Sequence, residues 1–83
     1  MDYLNTKNPQ FIEKVKSIPP LPGCYIYKDS EGKILYIGKA KNLKARVRSY
    51  FNSYKKLDIR IQQMIDLAND IEFYTVDSEV ESI

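Results

Sequence analysis

The sequence predicts a small domain of the α/β (α+β) class, and three observations carry that prediction. Residues 24–28 and 34–38 are short runs rich in tyrosine and isoleucine, split by Asp29-Ser30-Glu31-Gly32-Lys33, which is the pattern of a β-hairpin. Before and after them, apolar residues recur at helical spacing. Residues 71–76, Ile-Glu-Phe-Tyr-Thr-Val, have strong β-propensity and read as a third strand. A chain of 83 residues holds one such domain with a modest core.

The elements follow in order. Met1 to Thr6 show no periodicity and read as a loose lead-in. Asn8 caps a helix whose first position suits Pro9, and Phe11 or Ile12, Val15 and Ile18 give it an apolar face. Pro19, Pro20 and Pro22 stop that helix and hold the chain extended up to Gly23. Alternation along the hairpin puts Tyr25 with Tyr27 on one face and Ile34 with Tyr36 on one face, so Tyr25 and Tyr36 can stand near each other. Gly32 is available for a left-handed turn position.

A second helix begins at about Asn42, with Leu43, Val47, Tyr50 or Phe51, and Tyr54 on one face. A third spans about 58–69, led in by Leu57, with Ile61, Met64, Ile65 and Ala68 as its stripe. After the third strand, Ser78-Glu79-Val80-Glu81 is a capping box that opens one more helix just before the last residue, Ile83. That position is read as a cut inside an element.

Composition narrows the function. An apolar share of 43% with 29% charged residues is that of a globular protein rather than a disordered one. No apolar run reaches the length of a membrane span, so no membrane partner and a cytoplasmic location are expected. One cysteine, Cys24, and no histidine exclude zinc sites and histidine-based triads within the chain, so a metal would need oxygen ligands. Cys24 itself reads as a small buried hydrophobe.

Net charge is +2, but its distribution is uneven. Lys39, Lys41, Lys44, Arg46, Arg48, Lys55, Lys56 and Arg60 face the single acid Asp58, and residues 61–83 carry acids and no base. The basic middle suits a polyanion such as nucleic acid, or is simply a solvated helix face.

The chemistry gathers between Gly23 and Tyr50. A phenol with a reference pKa near ~10 is only about one part in a thousand ionised at neutral pH, and a nearby cation lowers that pKa. A tyrosine beside Lys39 or Arg46 could therefore take a proton from water, while the cations stabilise charge on a phosphate. Lys39, Lys41 and the amides after Asn42 form an anion site at a helix start. Each tyrosine, Tyr50 included, also reads as a packing residue, and spacing alone stops at a polyanion-binding domain with a Tyr/Lys/Arg site.

Leu21-Pro22-Gly23-Cys24-Tyr25-Ile26-Tyr27-Lys28-Asp29, Leu35-Tyr36-Ile37-Gly38-Lys39-Ala40-Lys41-Asn42-Leu43 and Arg46-Val47-Arg48-Ser49-Tyr50-Phe51 together resemble the GIY-YIG nuclease domain. The resemblance is narrowest to the branch at the N terminus of UvrC, the incision subunit of bacterial nucleotide excision repair. It covers roughly residues 18–83 and leaves 1–17 as a lead-in and helix. Cys24 stands where the motif has isoleucine and many relatives valine.

The resemblance implies a three-stranded antiparallel sheet flanked by helices, and metal-dependent hydrolysis of a DNA phosphodiester on the 3′ side of a lesion. It implies one Mg2+ or Mn2+ ion, DNA as substrate, and damage-recognition and helicase subunits as partners. Tyr25 and Tyr36 carry over as the paired active-site tyrosines, with Lys39, Arg46, Tyr50 and Gly38 around them; Lys41, Asn42, Lys44 and Arg48 are expected to bind DNA. Tyr36, assisted by Lys39, is taken as the base for the attacking water, although other branches give that role to the first tyrosine. Arg46 would contact the scissile phosphate, and Gly38 would let the backbone lie close to the site. The metal-binding glutamate and an asparagine are expected beyond Ile83, so Glu79 and Glu81 are not assigned as ligands, and the 83-residue chain alone is expected to bind metal and nick DNA poorly. Two other readings stay open: the same nuclease in another context, such as fusion to a DnaQ-like exonuclease, and a domain of this fold that binds DNA without cutting it.

Overall fold

Gly23–Lys28 forms the central strand (β1) of a three-stranded antiparallel sheet. Ile34–Ala40 (β2) flanks it on one side and Asp70–Thr75 (β3) on the other. Three helices accompany the sheet: Pro9–Ser17 (α1), Leu43–Asn52 (α2) and Ile59–Leu67 (α3), with single 3-10 turns at Tyr3–Thr6 and Tyr54–Lys56. The computed structural model describes residues 3–76; the capping box at Ser78, with Glu79 and Glu81, lies outside them. Among the described residues no helix is long and apolar enough to cross a membrane.

Each helix starts where a short polar side chain meets a free amide. The side-chain Oδ1 of Asn8 accepts from the Phe11 amide at 2.8 Å, that of Asn42 from the Ala45 amide at 3.0 Å, and the Asp58 carboxylate from the Arg60 amide at 2.8 Å. Such caps contribute about 1 kcal/mol each. The apolar stripes then meet on one face of the sheet. Phe11 and Val15 of α1, Leu43, Val47 and Phe51 of α2, and Met64 and Ile65 of α3 bury themselves with Tyr25, Tyr27 and Ile71. A fully buried side chain of this size stabilises the fold by roughly 1.5–3 kcal/mol. The hairpin is closed by the Asp29 carboxylate, which accepts from the amides of Glu31 and Lys33, and Gly32 takes the left-handed conformation at φ 82°.

Four local features differ from expectation. The register slips at Tyr27/Lys28: Tyr27 pairs with Tyr36 but Lys28 pairs with Ile34, which leaves Leu35 as an extra residue. Ile34 therefore falls on the face opposite Tyr36 instead of sharing one with it. β2 also continues through Lys39 and Ala40, so Lys39 lies within the strand and not just past it. Cys24 is half-buried and not a core residue, because alternation puts it on the face of β1 opposite the buried Tyr25 and Tyr27.

The described part of the lead-in is anchored. Leu4 is buried, the Tyr3 ring stacks on Tyr54 with centroids 3.8 Å apart, and both hydroxyls donate to Asp66. The Lys7 ammonium donates to the carbonyls of Ile65 at 2.5 Å and Ala68 at 2.9 Å, at the carbonyl-rich end of α3. The partners of Tyr3 and Lys7 lie 51 to 63 residues away in sequence, beyond any local pattern.

Candidate active site

Register and the α2 spacing bring four tyrosines together on the helix-covered side of the sheet. Tyr25 stands opposite Gly38 and Tyr27 opposite Tyr36, so these strand residues share a face. A Cβ built on Gly38 would lie 2.4 Å from both Cζ and Oη of Tyr25, which no real contact allows. Gly38 is thus the residue that lets the Tyr25 phenol lie across β2. There its ring reaches Tyr36, with centroids 6.2 Å apart, and its hydroxyl pairs with that of Tyr50 at 2.7 Å. Tyr27 meets the rings of Tyr25 and Tyr50 edge-on at 5.7 and 5.5 Å. Tyr27 joins the cluster although the motif reading did not nominate it; its signal was the alternation that put it on the Tyr25 face.

The cations form a second group next to the first. An open groove of about 970 Å³ at one end of the sheet is lined by Lys39, Lys41, Asn42 and Arg46, with Pro22, Gly23, Cys24, Ala40, Ala45 and Val76 as its apolar walls. Lys39 pairs with Cys24 in the register, which turns it to the face away from Tyr25 and Tyr36. The expected compact Tyr/Lys/Arg cluster is therefore two neighbouring groups. Arg46 links them: it lines the groove, and its charge acts on both Tyr25 and Tyr50. Lys44 and Arg48 are each two residues from Arg46 on α2, about 160° around the helix, and do not line the groove.

The amides expected to bind an anion after Asn42 are already used. Leu43 N–H donates to the Leu21 carbonyl at 2.9 Å, Lys44 N–H to that of Pro19 at 3.3 Å, and Ala45 N–H to the Asn42 side chain. The extended proline segment presents those carbonyls to the helix start. These three amides are therefore not open to an anion, whereas the Lys39, Lys41 and Arg46 side chains line the groove. Of the groove cations, none takes part in the two ion pairs among the described residues, Lys14–Asp70 and Lys28–Glu72.

Burial separates the tyrosines electrostatically. Desolvation pushes the Tyr25 phenol above its ordinary range, the Tyr50 hydroxyl and Arg46 only partly opposing it. Tyr50 is pushed up too, first by burial and then by its bond to Tyr25. Tyr27, wholly buried, is pushed up furthest, by burial. Tyr36 is exposed at 39%, and its hydroxyl has no hydrogen-bond partner among the described residues.

A divalent cation does not fit the described residues alone. Among them no group of three or more His, Cys, Asp or Glu could hold a metal ion, and no carboxylate lines the groove. Asp66, Asp70 and Glu72 are engaged elsewhere, with Tyr3 and Tyr54, with Lys14, and with Lys28.

The model of the UvrC-like GIY-YIG domain matches residues 21–83. The UvrABC system protein C of Carboxydothermus hydrogenoformans is 51% identical over 71 residues, covering 86% of this chain and 12% of the relative. Its counterpart from Parasynechococcus marenigrum is 49% identical over 76 residues, covering 90% of this chain and 12% of the relative. The chain thus spans about an eighth of the length of these relatives. Among solved structures, the GIY-YIG N-terminal endonuclease domain of UvrC from Thermotoga maritima, bound to magnesium as its catalytic divalent cation, superposes with a TM-score of 0.72 at 34% identity, covering 89% of this chain and 79% of that one. A point mutant of the same domain, also bound to its catalytic cation, gives a TM-score of 0.73 at 32% identity, covering 89% of this chain and 78% of that one. With its sheet, its tyrosine cluster and a family match over residues 21–83, this chain belongs to the UvrC-like GIY-YIG domain family.

Proposed function

We propose that this chain is a DNA endonuclease domain that hydrolyses one phosphodiester, making the incision 3′ to a lesion in bacterial nucleotide excision repair. The observation that carries the reading is the Tyr25–Tyr36–Tyr50 cluster, seated over Gly38 and joined through Arg46 to a cation-lined groove. Tyr36, the cluster's exposed phenol, takes the proton of the attacking water when it is present as phenolate, becoming the neutral phenol, whereas burial disfavours the phenolate of Tyr25 and Tyr50. Tyr25 and Tyr50 hold the geometry of the cluster and offer hydroxyls to the substrate side. Arg46 stabilises charge building on the scissile phosphate. Lys39 and Lys41 seat the strand from the groove, with Asn42 fixing the start of α2. Lys39 acts on DNA more than on Tyr36, since the register turns it to the other face.

Magnesium, the catalytic cation of the Thermotoga maritima domain, would supply Lewis-acid chemistry, and no carboxylate among residues 3–76 lines the groove to hold it. The domain works in the cytoplasm within a longer protein, loaded onto DNA by damage-recognition and helicase subunits, as the relatives' name as a UvrABC system protein suggests. A binding-only behaviour is favoured for the 83-residue chain by itself, because no carboxylate among the described residues lines its groove. The test is incision of a duplex carrying one lesion by the full-length protein with its partner subunits and magnesium. A nick 3′ to the lesion supports the reading; a bound but uncut duplex supports the non-cleaving alternative.

A further inference from the structure

We infer that Tyr27 is a positioning residue for the Tyr25–Tyr50 hydroxyl pair, acting through its ring and not through its own hydroxyl. The inference rests on the nuclease reading above. Tyr27 is fully buried at the centre of β1, beneath the cluster and directly opposite Tyr36. Its ring meets Tyr25 at an interplanar angle of 75° and Tyr50 at 85°, both edge-to-face. One ring thereby fixes the tilt of two others that come from different elements, a strand and α2. Those two rings must be oriented together for their hydroxyls to meet at 2.7 Å. Edge-to-face pairs are directional, so an aliphatic side chain of similar bulk would fill the space without setting the angles.

The Tyr27 hydroxyl points to the same division of labour. Among the described residues it is the buried side-chain polar atom without a hydrogen-bond partner. Buried hydroxyls are normally paired, because leaving one unmade is unfavourable. A hydroxyl with no partner does not orient anything. What Tyr27 contributes to the site is therefore its aromatic plane, and phenylalanine should contribute the same.

The experiment compares wild type with Tyr27→Phe and Tyr27→Leu by three measurements. Steady-state nicking by the full-length protein gives kcat and KM, thermal melting reports folding, and NMR titration of a tyrosine-Cζ-labelled 83-residue chain follows the Tyr25 phenol. Tyr27→Phe is expected to keep kcat within about twofold and to melt no lower than wild type, by up to about 5 °C higher. Tyr27→Leu is expected to lose about tenfold in kcat at unchanged KM, the loss of two edge-to-face contacts. Its Tyr25 titration should move down toward the ordinary tyrosine range as water reaches the phenol, while in Tyr27→Phe it stays raised. Should Tyr27→Leu fail to fold, Tyr27→Met takes its place, as a flexible side chain without a ring.

Equal kcat for wild type and the ringless variant overturns the inference, and so does an equal fall in the Phe and ringless variants, which would assign the role to the hydroxyl. If wild type does not nick but Tyr25 still titrates lower when the ring is removed, the positioning role stands and the nuclease reading falls. If it does not nick and Tyr25 titrates unchanged, both fall.

Discussion

The phenol of Tyr25 lies across the backbone of Gly38, so close that any side chain at 38 would occupy the space of the ring. The two are register partners on β1 and β2. The motif's glycine is thus explained by a neighbour: it is the floor on which the first tyrosine reaches the second. Replacing Gly38 by alanine should push the Tyr25 ring off β2, destabilise the fold by about 1–3 kcal/mol as overpacking does, and lower nicking at least tenfold. Chemical denaturation together with nicking rates checks both halves. A fully active Gly38→Ala protein would mean the ring has another place to lie.

The raised phenols make the fold sensitive to alkali. Below about pH 10 Tyr25, Tyr27 and Tyr50 are protonated in both folded and unfolded chains, and they leave stability flat. Above it the unfolded chain releases protons that the folded chain keeps, so stability falls as pH rises. The loss should begin near pH 10, and Tyr27→Phe should make it shallower by about 1.4 kcal/mol per pH unit, the share of one proton. Melting curves between pH 8 and 12, a range around the ordinary tyrosine pKa of about 10, measure the slopes.

Much of this was legible in the sequence, and the misses share a physical cause. Asn8 was legible as a cap, and helices were expected from about Asn42 and Asp58, where the structure adds two more side-chain caps, because a cap is a local interaction. Alternation placed Tyr25 and Tyr27 together because side-chain direction in a strand has period two. The same rule failed for Ile34 once Leu35 bulged, since the bulge is visible only in the pairing of two strands. The amides after Asn42 read as free because their acceptors, the Leu21 and Pro19 carbonyls, come from a segment more than twenty residues earlier. Lys39 read as a companion of the tyrosines because it is near them in sequence, whereas the register turns it away.

The N-terminal anchor provides a control on the site. Lys7 joins the carbonyl end of α3 by hydrogen bonds to Ile65, Asp66 and Ala68. Lys7→Met should keep some of the packing but lose these charge-assisted bonds, at a cost of about 1–2 kcal/mol in stability. Nicking at a temperature where the variant is folded should stay within about twofold of wild type. Equilibrium denaturation beside a nicking assay separates the two effects, and a large fall in kcat would tie the lead-in to catalysis.

Tyr36 and Arg46 are proposed to perform the chemistry from two sides of the tyrosine cluster, one at its exposed phenol and one between cluster and groove. Single-turnover nicking of a lesion-bearing duplex by the full-length protein in magnesium, for wild type, Tyr36→Phe and Arg46→Ala, tests it most directly. Each variant should fold and bind DNA yet cleave at least about a hundredfold more slowly, the scale of a lost proton acceptor or a lost charge stabiliser. Cleavage by either variant at the wild-type rate would contradict it.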